Sequence, residues 1–239
     1  MSSFSSSRLL RATAIAIAVL IVALVGVVLV TALGGGGNDD ESPTATAVAT
    51  VPEESSLDAA RRVEADDDPS LPGEYIDLPA IYGGQYGGEP NTASHVQAAV
   101  DYAVQGLPPA GGPHWGSGAC GDDPPVAPPL CGPAPWGIYR ERWPAETLVH
   151  NMEHAGVVIW YNTSDQSVID ELEAFAQEKL SAGTLLVLAP YPDMDAETVA
   201  ITVWSRRDVM PADELDIGRL EEFVDALACR FNPEDFPCR

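Results

Sequence analysis

The stretch Thr147–Asn162, "TLVHNMEHAGVVIWYN", changes character at Gly156. From that glycine on, "GVVIWY" is a short apolar run of β-branched and aromatic side chains, the composition of a buried strand. Asn162-Thr163-Ser164-Asp165 then supplies side-chain oxygens suited to capping a helix. Val168, Ile169, Leu172, Phe175, Ala176 and Leu180 recur on one helical face, and Gly183 stands just beyond as a stop. "LLVLA", Leu185–Ala189, reads as a second strand, halted by Pro190 and Pro192. "TVAITVW", Thr198–Trp204, alternates Val199, Ile201 and Val203 on one face and reads as a third; Arg206 and Arg207 at its end are expected to meet surface carboxylates. A last amphipathic helix runs from about Asp216 to Cys229 through Leu220, Phe223, Val224 and Leu227. The order strand, helix, strand, strand, helix defines an α+β fold, a small mixed sheet with two C-terminal amphipathic helices.

Working outward, residues 78–146 are dominated by Gly and Pro and predict long loops with brief regular elements; "SHVQAAVDYAV" fits a short helix or a strand equally well. Residues 34–77 are rich in Gly, Ser, Thr, Pro, Asp and Glu, and cannot bury enough apolar surface to offset their ordering entropy. They read as a disordered acidic linker. Ahead of them, Ala12–Leu33 carries no charge. As a helix this run would reach about 33 Å, against a hydrocarbon core of about 30 Å. Arg8 and Arg11 precede it, and the next basic residues are Arg61 and Arg62, so residues 1–11 are expected in the cytoplasm and everything after Leu33 outside. The competing reading is a cleaved signal peptide with a weak small-residue site at Val30 and Ala32; both readings export the domain at 78–239.

The formal net charge of −24, from 36 acidic and 12 basic residues, disfavours nucleic acid and anionic lipid headgroups as partners. It also concentrates cations. The four cysteines, Cys120, Cys131, Cys229 and Cys238, all fall in the exported part, where an even count points to disulfides. Three connectivities are possible, of which the local pairs Cys120–Cys131 and Cys229–Cys238 are simplest. The first would close the Pro-rich loop "CGDDPPVAPPLC", worth about 3 kcal/mol in the chain-entropy picture. No C-x-x-C, P-loop, dinucleotide-binding glycine pattern or G-x-S-x-G elbow occurs.

His150 and His154 share a face whether their segment is helical or extended. An extended or turn conformation is expected, because a strand comes directly after it; it would add Met152 to that face. "HNMEH" also matches H-x-x-E-H, the inverted zinc-protease pattern, which requires a helix. A third imidazole, His114, lies in the glycine-rich "PPAGGPHWG", and the fourth, His95, in "TASHVQ". Three imidazoles suit copper or zinc, and the soft sulfur of Met152 tilts the choice towards copper. The bland alternative is that each ring is an ordinary hydrogen-bonded residue. Trp136, Tyr139, Trp143 and Trp160 read as packing aromatics.

"LPPAGGPHW" followed by "WGIYRERWPAETLVHNMEHAGVVIWY" resembles the DUF3105 family, with P-P-x-x-G-x-H, G-x-Y and V-H-x-x-E-H-G segments in that order. The matching positions are Pro108, Pro109, Gly112, His114, Gly137, Tyr139, Val149, His150, Glu153 and His154, and the likeness runs from roughly His95 to the C-terminus. Ala155 stands where the family usually has glycine, and Met152 where an aliphatic residue is common. The resemblance implies an exported, often membrane-anchored domain and no particular chemistry.

The leading expectation is therefore a binding module on a single-pass anchor that coordinates copper or zinc. Its direct ligands are His114, His150 and His154, with His95, Met152 and Glu153 as further ligands or as partners orienting a ring. The alternatives are a metal-free structural domain at the cell surface and a metal-dependent hydrolase with Glu153 as base.

Overall fold

The computed structural model describes residues 54–83, 93–116 and 132–238. In chain order the elements are α1 (Ser56–Glu64), β1 (Glu74–Tyr75), α2 (Leu78–Tyr82), β2 (His95–Val96), a 3-10 turn (Tyr102–Gln105), β3 (His114–Trp115), β4 (Gly137–Ile138), α3 (Ala145–Glu153), β5 (Val157–Asn162), α4 (Gln166–Ser181), β6 (Leu186–Pro190), β7 (Thr198–Val203), β8 (Arg206–Pro211), a second 3-10 turn (Ala212–Glu214) and α5 (Ile217–Leu227). One mixed sheet has the order β1-β8-β7-β5-β6-β4, and β2 pairs with β3 separately. β5 runs parallel to β6 and antiparallel to β7. Parallel neighbours need a crossover, which α4 supplies. Its N-cap is Asp165, whose side chain accepts from Ser167 N, and the chain leaves it through Gly183 at φ +95°.

The period of two along the strands sorts the core into two layers. Val157, Ile159 and Tyr161 pack with Leu172 and Phe175 of α4 and Leu220 and Phe223 of α5. Val158 and Trp160 point the other way, towards Leu148 and Met152 of α3 and towards Trp204. The three strands and two helices read from the sequence are all present, in a sheet larger than expected because β8, β1 and β4 join it.

Four expectations need correction or fall elsewhere. The proposed linker does not extend to Asp77: residues 56–64 form α1, which buries Ala60 and Glu64. Trp204 and Ser205 donate to Oε1 and O of Glu64 at the end of this helix, and Arg206 and Arg207 hold the chain around it. The two arginines open β8 and are 2% and 8% exposed. Arg206 Nη2 donates to the carbonyls of Asp66 and Asp68 at 2.8 and 2.9 Å, and Arg207 Nη1 to those of Gln105 and Pro108. Arg206 thus draws its acceptors from main chain of the expected linker, while Arg207 Nη2 also meets the exposed carboxylate of Glu74 at 3.1 Å, as expected for that residue. Ala12–Leu33 and the pair Cys120–Cys131 lie outside the described residues. Among the described residues no helix is long and apolar enough to cross a membrane. Cys229 and Cys238 form the expected bridge, with Cα atoms 5.9 Å apart.

Between the sheet and α3, Trp160 Nε1 donates to Thr202 Oγ1 at 2.7 Å, and Thr202 Oγ1 donates to Met152 Sδ at 3.3 Å. All three residues are fully buried. Thr202→Val keeps the shape and removes the acceptor, so it should cost about 1–3 kcal/mol for an orphaned buried donor. Denaturant titration reads this directly, and an unchanged midpoint would contradict the packing described.

Candidate metal centre

Helix α3 is where the sequence reading and the structure part most usefully. The segment carrying "HNME" is helical, not extended. It can meet β5 so closely because the reversal is tight: Ala155 takes φ +64°, and Gly156 N donates to Asn151 O at 3.0 Å. A Cβ at Gly156 would stand 2.6 Å from that carbonyl, so only glycine fits there. The helical period keeps His150, Glu153 and His154 on one face and turns Met152 away. Met152 lies in the core with its sulfur engaged by Thr202, which removes it from the candidate ligands and with it the case for copper over zinc.

The other two histidines arrive from the glycine-rich loop and its neighbour. Gly111 and Gly112 adopt φ +125° and +107°, and a Cβ on Gly112 would stand 2.7 Å from the Tyr82 ring. This close passage delivers His114 to the interior. Parallel pairing of β2 with β3 then sets His95 opposite His114.

His95, His114, His150 and Glu153 each offer one ligand atom, and these atoms all lie within 4.8 Å of one another, an arrangement that can hold a metal ion. Glu153 Oε2 is 2.9 Å from His114 Nε2, 3.2 Å from His95 Nε2 and 3.8 Å from His150 Nε2. The centroids of the three rings are 4.9, 5.2 and 5.0 Å apart, close to an equilateral triangle. His114 and His150 are buried; the His95 side chain is 47% exposed and forms the open side.

The far nitrogens fix the tautomers. His114 Nδ1 is 2.9 Å from Gly112 O, and His150 Nδ1 is 2.6 Å from Trp115 O. A carbonyl only accepts, so both Nδ1 atoms carry their protons and donate. In a neutral ring each Nε2 is then a lone pair, and that of His114 faces a carboxylate oxygen. Two acceptors at this distance repel unless a second proton or a cation lies between them.

Burial, reinforced by the nearby His114, lowers the His150 pKa from 6.5 to about 4, and burial likewise lowers that of His154. Burial alone would raise the Glu153 carboxyl, but in the metal-free protein Nε2 protons on His114 and His95, the former making that ring an imidazolium, outweigh it and hold it well below the usual range. The hydrogen bond to Glu153 raises His95.

His154 sits differently from its expected role. Its Nε2 is 3.1 Å from His150 Nε2 and 3.2 Å from Glu234 Oε2, outside the group of four. The sequence reading missed Glu234, and it missed the carbonyls of Gly112 and Trp115 that orient two rings. The only hint of Glu234 was its place inside the Cys229–Cys238 loop.

These features describe an α+β domain built around a buried cluster of three imidazoles and one carboxylate. The chain belongs to the DUF3105 family, proteins of unknown function, whose model matches residues 95–239. No curated protein and no solved structure matches it.

With metal chelated, the titrations set a pH profile. His150 and His154 fold with lowered pKa values, so their neutral forms contribute stability that is complete above pH 6.5 and is lost as pH falls, towards about 4 for His150. His95, raised, contributes below 6.5 and loses that contribution as pH climbs through its higher folded value, less steeply because it is half exposed. The melting temperature of the metal-free chain should therefore fall between pH 6.5 and about 5, above the main range of carboxylate titration. A flat profile there would contradict the buried, neutral His150.

Proposed function

We propose that this chain is a binding module for one divalent transition-metal ion of intermediate softness, zinc before copper, held by His95, His114, His150 and Glu153. The observation that carries the reading is the commitment of both Nδ1–H groups of His114 and His150 to backbone carbonyls. It leaves the His114 lone pair directed at the Glu153 carboxylate 2.9 Å away, an opposition that a cation resolves, with the His150 Nε2 lone pair 3.8 Å from the same oxygen. The spacing supports it. Ligands about 2.0–2.1 Å from zinc in a tetrahedron stand about 3.3 Å from one another. The three nitrogen–oxygen separations at Glu153 bracket that value. Rings bound through Nε2 would have centroids about 5 Å apart, as these do. With Met152 withdrawn, a nitrogen and oxygen set favours zinc over cuprous ion.

The module is exported on a single-pass anchor at residues 12–33 with its N-terminus in the cytoplasm; the uncharged run and its flanking arginines support this placement. The Cys229–Cys238 bridge suits an oxidising compartment. A hydrolase with Glu153 as base is the weaker reading. That carboxylate is 7% exposed and already engaged by two imidazoles, and the cavity of about 600 Å³ beside Trp115 and Arg142 is lined by none of the four residues.

Elemental analysis of the purified tag-free chain tests the proposal. Wild type should retain zinc through desalting in excess magnesium. His95→Ala, at the exposed corner, and His114→Ala should lose most of it. At free zinc about a hundredfold above Kd, the wild type should gain about 2.7 kcal/mol of stability that a chelator abolishes. Equal metal in all three proteins, or none in any, removes the idea.

A further inference from the structure

Beside the four-residue group stands a second one. Glu153, His154 and Glu234 each offer a ligand atom, and these too lie within 4.8 Å of one another. We infer that the domain has a second, outer cation position formed by His154 and Glu234, with the Glu153 carboxylate shared between the two ions. The inference rests on the proposed inner site and extends it from one ion to two.

The outer group is held in place with some care. Glu234 lies in the loop closed by the Cys229–Cys238 bridge. Within that loop, Asn232 braces Phe236 from both sides: Asn232 Nδ2 donates to Phe236 O at 2.9 Å, and Phe236 N donates to Asn232 Oδ1 at 2.8 Å. Phe236 stacks on the His154 ring with centroids 4.2 Å apart, which fixes the plane of the imidazole. At the loop's start, Cys229 N donates to Ala155 O at 3.3 Å, one residue beyond His154. The loop is thus tied to the end of α3 at the position where its carboxylate meets the histidine, Nε2 to Oε2, at 3.2 Å.

The chemistry of the two groups is linked through His150. In the empty protein His154 Nε2 can donate its proton to the His150 lone pair 3.1 Å away. An ion seated in the inner group consumes that lone pair. His154 Nε2 is then left with Glu234 as its partner, and a second cation takes this position by displacing the Nε2 proton, which leaves to solvent or moves to Nδ1, so that the freed lone pair and the carboxylates of Glu234 and Glu153 bind the ion. One nitrogen and two carboxylates make a harder, less complete set than the inner three nitrogens and one oxygen. Glu234 is also 46% exposed. The outer ion is accordingly the weaker of the two, and it binds after the first. Two ions bridged by a carboxylate stand about 3.5–4 Å apart in known two-metal sites. Graded burial, from Glu234 at 46% through His154 at 15% to Glu153 at 7%, also sets the outer position on the solvent side of the inner one.

Titration of the chelator-stripped full chain with zinc, in excess magnesium to suppress loose binding to surface carboxylates, decides the matter. Wild type should bind two equivalents in sequence, one tight and one weaker. Glu234→Gln alters an exposed side chain, so it should keep the first and lose the second. A wild type that binds one equivalent, with Glu234→Gln indistinguishable from it, overturns the outer position and leaves the inner one standing. Two equivalents in both proteins would overturn the assignment of Glu234. No zinc in the wild type removes both positions together.

Discussion

A carboxylate buried against imidazole lone pairs is the constraint around which this domain is arranged. Glu153 sits at the end of α3 with almost no contact with solvent, and its Oε2 is approached by three Nε2 atoms from separate parts of the chain. Burying an ionised carboxyl costs several kcal/mol unless opposite charge and hydrogen bonds accompany it. The structure supplies hydrogen-bonding rings but uses two of their protons elsewhere, on the carbonyls of Gly112 and Trp115. That division of protons leaves the His114 lone pair facing the carboxylate, in a group of four ligand atoms that can hold a cation.

The sheet serves this arrangement at one remove. β5 anchors the end of α3 through the reversal at Ala155 and Gly156, while Trp160, Thr202 and Met152 fix the helix against the sheet face. On the other side, Gly111 and Gly112 let the backbone pass close enough to Leu78 and Tyr82 to bring His114 inward. The buried arginines of β8 tie residues 66–74 and 105–108 to the sheet, just ahead of the chain that leads to His114.

Much of this is written in local sequence, and the rest is not for identifiable reasons. β5, β6, β7, α4 and α5 declare themselves because their apolar side chains repeat at periods of two or 3.6 against a core. α3 does not, because nine residues ending in a left-handed alanine directly before a strand offer no cap or glycine at the expected stop. That error carried Met152 into the site and with it the preference for copper. α1 is invisible for another reason: its segment is polar, and its end is held by Trp204 and Ser205, about 140 residues away in sequence. His114, His150 and Glu153 could be named as candidates from residue type and motif alone. Glu234 could not, since only the folded loop shows what it faces.

The most direct test of the central claim is X-ray absorption at the zinc edge of the chain loaded with one equivalent. The account predicts a first shell of nitrogen and oxygen only, at about 2.0–2.1 Å, with outer-shell scattering from about three imidazole rings. A sulfur scatterer near 2.3 Å, or an ion surrounded by oxygen with no imidazole signature, would contradict it.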